Sequence, residues 1–179
     1  MTRLRHFLKD DSGTSAIEFV FVFPMIFMIF TASFESSLFM SRYVMFERAV
    51  DEVVRQLRLR TLPNVTNQAL KREICEAGML ISSVQDCIND MRIWMQPVNT
   101  ANFVMAAPPR HCSDRNQPLN LVEEAALVQT GTDNDIMLMR ICLKEDPMFA
   151  TTFFSMGMAS QPDGTYAMIV TSTFVNEPN

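Results

Sequence analysis

The chain has 179 residues, 20% of them charged and 48% hydrophobic, with a formal net charge of −5. That suits one modest domain plus an anchor and argues against a nucleic-acid partner, which calls for a basic footprint. Its five glycines never gather into the short cluster that a phosphate-cradling loop needs.

In chain order, the leader MTRLRHFLKDDSG carries Arg3, Arg5 and Lys9. An unbroken apolar run follows from Phe19 to Phe30, with Pro24 inside it, and extends weakly to Phe34 before Glu35. Ile17 to Phe34 makes about 27 Å of helix at 1.5 Å per residue, near the roughly 30 Å of a bilayer core. Eight of the fourteen Phe residues lie between positions 19 and 46. A run this aromatic, placed after a basic leader, favours a membrane helix (about 17–36) over a buried core helix. Positive flanks stay cytoplasmic, so the remainder is expected to be exported. An ordinary secretory signal needs small residues at its cleavage site, and Phe34 and Glu35 interrupt the candidate TASFESS. One charge stands against the pattern: Glu18, at the start of the apolar stretch, where a mid-membrane carboxylate costs about 2.5–3.5 kcal/mol.

Phe39, Tyr43, Phe46, Val50, Val53 and Leu57 are spaced 4, 3, 4, 3 and 4, an apolar seam on a continuing helix. The seam is expected to pack on the protein's own sheet, with contact to other helices of an assembly as the alternative. Arg42, Glu47, Arg48, Asp51, Glu52, Arg55 and Arg58 cover the other faces, with Asp51–Arg55 and Arg48–Glu52 as i, i+4 pairs. Pro24 is a candidate kink and Pro63 a candidate helix stop. A second helix is predicted from Thr66 or Asn67 past Cys75. MRIWMQPV (91–98) alternates as a strand, and NFVMAA (102–107) is a candidate partner for it. LVEEAALVQ reads as a short helix. DIMLMRICLK (135–144) and TYAMIVTSTFV (165–175) are the best strands, with an Asp163-Gly164 turn before the last. The fold class is therefore α+β: a long N-terminal transmembrane helix, then a small domain on an antiparallel sheet.

Cys75, Cys87, Cys112 and Cys142 lie beyond the membrane span, at spacings too wide for a zinc signature. An oxidising compartment favours disulfides. Of three possible pairings, Cys75 with Cys87 closes a local helix-to-strand loop and Cys112 with Cys142 ties a loop to a central strand; free thiols are the alternative. Catalysis finds little support. His6 lies in the leader, and His111 adjoins Cys112 without the geometry of a dyad. Glu123 and Glu124 read as a solvated helix face, and Asp133 and Asp135 as turn residues. No enzyme, metal site or cofactor is expected.

Gly13 and Glu18 resemble a class III, prepilin-type signal, with Gly last in the leader and Glu fifth in the mature chain. The resemblance implies cleavage of Gly13–Thr14 by a prepilin peptidase. The new ammonium at Thr14 can then meet the Glu18 carboxylate of a neighbouring subunit, each charge offsetting the other's desolvation; the alternative is that Glu18 lies in hydrated headgroups. With SGTSAIEFVFVFP, ICEAGMLISSVQDC, DIMLMRICL and TSTFVNEP in that order, the chain resembles TadE/TadF-like proteins from about Gly13 to Pro178. These are pseudopilins, or minor pilins, of the tight-adherence (Tad/Flp, type IVc) pilus.

The resemblance implies a pilin-like organisation: leader 1–13, helix 14–60 and periplasmic domain 61–179. It implies a single-pass protein of the bacterial inner membrane, N-terminus cytoplasmic and C-terminal domain periplasmic, available for incorporation in the pilus. Partners would be the peptidase and other pilins and pseudopilins of the Tad system, with no small-molecule substrate. Thr14 departs from the Phe that opens many mature type IV pilins, which leaves N-terminal methylation open. An uncleaved single-pass inner-membrane protein with a partner-binding periplasmic domain is the alternative.

Overall fold

The structure is a computed structural model that describes residues 14–78, 83–102, 107–109, 112–115, 120–150, 152–158, 161 and 163–178. The leader with His6 and Gly13, His111, and most of the 102–107 strand expectation lie outside the described residues, as do the side chains of Thr14 and Ser15.

Helix α1 (Thr14–Arg58) runs unbroken through Pro24. Pro63 is not what stops it. Arg60 adopts a left-handed φ of 51°, and its N–H and that of Thr61 return to the carbonyls of Leu57 and Gln56 at 3.1 and 3.0 Å. That is the Schellman arrangement, so the helix ends five residues before the proline. Helix α2 (Asn67–Ala77) begins where the Thr66 side chain accepts from the Ala69 N–H. Helix α3 (Val84–Asp90), capped by Ser83, has no counterpart among the sequence expectations. Strand β1 (Met91–Pro97) follows it directly. Helix α4 (Leu121–Ala126) carries a capping box between Asn120 and Glu123. Strand β2 (Ile136–Glu145), the six-residue helix α5 (Phe153–Met158) and strand β3 (Tyr166–Val175) complete the order. Gly164, at φ 77°, occupies the turn before β3 in a conformation that favours glycine.

The sheet is antiparallel in the order β1-β2-β3. β1 is also paired on its far side, where Met95 exchanges backbone hydrogen bonds of 2.9 Å with Leu127 and Gln129, so this edge is covered. Period-2 alternation puts Ile93 and Met95, Met137, Met139 and Ile141, and Met168 and Val170 on the inner face. The seam of α1 lies in the same core: Phe46, Val50 and Val53 are at most 1% exposed, and Phe39 and Leu57 are buried with them. α2 adds Leu70 and Ile74. The intramolecular packing expected of the seam is thus present. The many methionines suit this core because an unbranched thioether fills irregular space between helix and sheet.

Two disulfides are formed. Cys75–Cys87, with Cα atoms 6.0 Å apart, joins helix to helix, since Cys87 stands in α3 rather than in a strand. Cys112–Cys142, with Cα atoms 5.2 Å apart, holds the β1–α4 connection onto the outer face of β2. Removing the second bridge by Cys112→Ser with Cys142→Ser is expected to lower stability by about 2–4 kcal/mol. Urea unfolding of the full chain in detergent, followed through buried Trp94, checks this; an unchanged midpoint would contradict it.

Candidate functional site

The chemistry of this chain is concentrated along α1. At its start Glu18 is exposed and meets no hydrogen-bond or ion-pair partner among the described residues. From Phe19 to Phe30 every large apolar side chain on the helix is 46–72% exposed. Phe19, Phe23 and Phe27 stack along one face with ring centroids 5.2 and 6.0 Å apart, the contact that i, i+4 spacing provides. Thr31 Oγ1 and Ser33 Oγ donate to carbonyls of the preceding turn, so neither hydroxyl presents an unmet donor to an apolar surrounding. The helix is long and apolar enough to cross a membrane and is compatible with a single-pass protein.

At Glu35 the helix meets the domain. The carboxylate is 3% exposed. It accepts from the backbone N–H groups of Met148 and Phe149 at 2.9 and 3.0 Å and from the Tyr166 hydroxyl at 3.1 Å. Three donors on one carboxylate satisfy most of its acceptor capacity. Burial pushes the Tyr166 hydroxyl up to about 12, and the adjacent Glu35 charge adds to that. In the sequence Glu35 stands out only as the end of an apolar run. The signal was available: extending the seam back four residues from Phe39 lands on Glu35, with Ala32 one turn earlier, also buried.

Two turns on, Arg42 pairs with Glu145 at the end of β2, with side chains 11% and 10% exposed. Arg42 therefore belongs to the interior and not to a solvated face. Burial raises the Glu145 carboxyl above its usual range, against the opposing pull of Arg42. Between them, Tyr43 donates to the Ile169 carbonyl at 3.0 Å, and Phe39 meets the Tyr166 ring edge-on at 5.3 Å. The i, i+4 pairs Asp51–Arg55 and Arg48–Glu52 are not formed; Glu52 accepts from Gln56 instead.

Beside this junction lies an open cleft of about 1000 Å³ with a charged lining. Its cations are internally matched. Lys71, 2% exposed, meets Glu124 at 2.7 Å, so Glu124 is a half-buried partner and not part of a fully solvated face. Arg115 bridges Asp90 and Asp146 with four contacts of 2.8–3.0 Å, which raises its already high pKa further. Lys144 meets Asp163 at 2.7 Å. The pairs bind α2 to α4, the loop after Cys112 to the end of α3 and the residue after β2, and the turn before β3 to β2. Asp135 accepts from Thr132, and Asp133 pairs with Arg60, so both act in the turn before β2. Among the described residues no group of three or more His, Cys, Asp or Glu side chains is placed to hold a metal.

Residues 13–55 match the family model of TadE-like proteins. The N-terminal region is TadE-like. The match runs from Gly13 through the exposed apolar span, Glu35, Arg42 and most of the seam, and stops short of the sheet. It supports a component of a Tad pilus, with other pilus components as partners. No curated protein and no solved structure matches the chain.

Two measurements test the junction. Glu35→Ala strands three buried donors, and stability is expected to fall by about 2–4 kcal/mol, while Glu18→Ala leaves it unchanged. Equal urea midpoints for the two variants would refute the clamp. The second concerns Asp163. Burial pushes this carboxyl up, but hydrogen bonds from Lys144 and Thr165 outweigh it and hold the group down to about 2 against its usual 3.8. The folded group therefore protonates at lower pH than the unfolded one. Its stabilisation is fully present above about pH 4 and is lost as pH falls towards about 2. It amounts to about 1 kcal/mol after allowance for screening. Asp163→Asn should flatten the parent's loss of stability across that window, read as urea midpoints at a series of pH values.

Proposed function

We propose that this chain is a minor pilin, or pseudopilin, that takes part in assembling a Tad-type adhesive pilus and has a structural role rather than a catalytic one. It is cut by a prepilin peptidase between Gly13 and Thr14, crosses the bacterial inner membrane once, and carries its disulfide-bonded domain, residues 61–179, on the periplasmic side. The basic residues Arg3, Arg5 and Lys9 support the cytoplasmic placement of the leader, and the two disulfides support an oxidising compartment for the domain.

The observation that carries the reading is Glu18. A carboxylate at the start of an exposed apolar helix, with no partner among the described residues, calls for one from elsewhere. The ammonium released at Thr14 by cleavage, four residues away in sequence, has an unperturbed pKa of about 7.7–8.0 and supplies the opposite charge on a neighbouring subunit. Glycine's missing side chain suits Gly13 to a narrow peptidase cleft.

Intact mass of the protein taken from membranes tests processing: the chain should begin at Thr14, and retention of Met1 would favour an uncleaved anchor. For assembly, Glu18→Ala and Glu18→Gln should still insert and be cut but should fail to co-purify with pilus components. Glu18→Asp should be intermediate, because the charge is kept and the reach shortened. If the alanine and glutamine variants assemble like the parent, Glu18 is an interfacial residue without a pairing role.

A further inference from the structure

The second apolar surface of this protein lies on the globular domain, next to the point where α1 joins it. Residues 147–162 contain no charged side chain in a chain that is 20% charged; Asp146 and Asp163 bound the stretch. Within it Met148, Phe153 and Met156 are 52%, 63% and 67% exposed. The helix α5 is two-sided. Phe154 turns inward to the Tyr166 ring at 6.3 Å, and Ser155 is buried. Phe153, Met156 and Gly157, at i, i+3 and i+4, turn outward, and a Cβ placed on Gly157 would meet nothing within 4 Å. Large apolar groups left outward on a charge-free helix call for an apolar or interfacial surrounding.

The fold determines which surrounding that is. The stretch is fixed to α1 through the Glu35 carboxylate, which holds the N–H groups of Met148 and Phe149. Phe149 meets Phe34 edge-on at 6.4 Å, and α5 itself contacts α1. Thr31, Ala32 and Glu35 are buried at this junction, while Phe30 and Phe34 on the same turns remain 64% and 44% exposed. From Ile17 to Phe34 the helix rises about 27 Å, slightly less than a bilayer core of roughly 30 Å. If Ile17 stands at one boundary, Phe34 stands at the other, and Phe149, four residues before α5, stands beside Phe34 at that same depth. The apolar surface of α5 is thus continuous with the lipid-facing surface of α1.

We propose that α5 and the Met148–Phe149 turn are seated in the outer headgroup and acyl boundary of the bilayer that α1 crosses, so that the domain is held down on the membrane at two places. The proposal rests on the membrane reading of α1. The uncharged stretch is a second, shallow lipid contact, Glu35 is the pin that sets its depth, and removal of the subunit from the bilayer must release both.

The test uses the full chain reconstituted in vesicles whose phosphatidylcholine chains are brominated at shallow or at deep positions. Parent fluorescence comes from Trp94, buried in the domain, and is expected to be insensitive to bromine. F153W should show an added blue-shifted emission that shallow bromine quenches more than deep bromine does. M156W gives an independent reading of the same face. F23W, on α1, should be quenched most by deep bromine. Quenching of F23W without quenching of F153W or M156W would overturn the seating of α5 while leaving the membrane helix intact. A blue-shifted F153W emission that no brominated lipid quenches would also overturn it, and would assign the face to a neighbouring protein. If F23W escapes quenching as well, the membrane reading itself falls and the seating falls with it.

Discussion

A carboxylate removed from water has to be surrounded by donors, and in this chain that constraint decides how a membrane-type helix and a soluble domain become one body. Glu35 would be costly beside the apolar run of α1. It is retained because two backbone N–H groups and a tyrosine hydroxyl converge on it. Those donors come from the loop after β2 and from the first residue of β3. Satisfying one side chain therefore fixes the sheet's end, the uncharged stretch and the helix relative to one another. Arg42 and Glu145 repeat the arrangement two turns later, and Tyr43 closes it onto the β3 backbone.

The same helix serves two surroundings with one sequence. From Phe19 to Phe30 it is apolar all round and turns large side chains outward. Beyond Phe39 it is apolar on one stripe, and that stripe is the main wall of the domain core. The change of pattern is gradual in the sequence but abrupt in burial, because the domain begins to cover the helix at Thr31 and Ala32. Separate ion pairs then hold the smaller elements: Lys71 with Glu124 for α2 and α4, and Arg115 with Asp90 and Asp146 for the loop after Cys112. A buried pair such as Lys71–Glu124 adds little net stability over an apolar replacement, and exposed pairs such as those of Arg115 are each worth little.

Local periodicity made much of this architecture readable in the sequence. The seam from Phe39 to Leu57, the Thr66 cap, and the alternation in β1, β2 and β3 each express a rule that operates within a few residues. What could not be read were features that depend on distant partners. Glu124 looks solvated until Lys71 is placed over it, and Arg42 looks like a surface charge until β2 ends beside it. α3 and α5 are too short for periodicity to speak, and α5 is built from residues that suit strands as well as helices. The end of α1 differs from the expected proline stop for a related reason. Pro63 is a visible breaker, whereas the left-handed turn at Arg60 uses a residue with no special preference for it. For the candidate site, Glu18 was legible because a charge in an apolar run violates a local rule; Glu35 violates the same rule but stands where the run was already fading.

Glu35 and Arg42 are the only charged residues between Phe19 and Phe46, and the chain turns both onto its own domain. Over about 40 Å of helix, at 1.5 Å per residue, the outward surface is therefore electrically blank. Such a surface can slide lengthwise against another apolar helix with little change in electrostatic energy, as a smooth rod does in a sleeve. Axial position between neighbours would then be read from one mark near the rod's end, the carboxylate of Glu18. Internalising the other two charges is what makes that mark unambiguous.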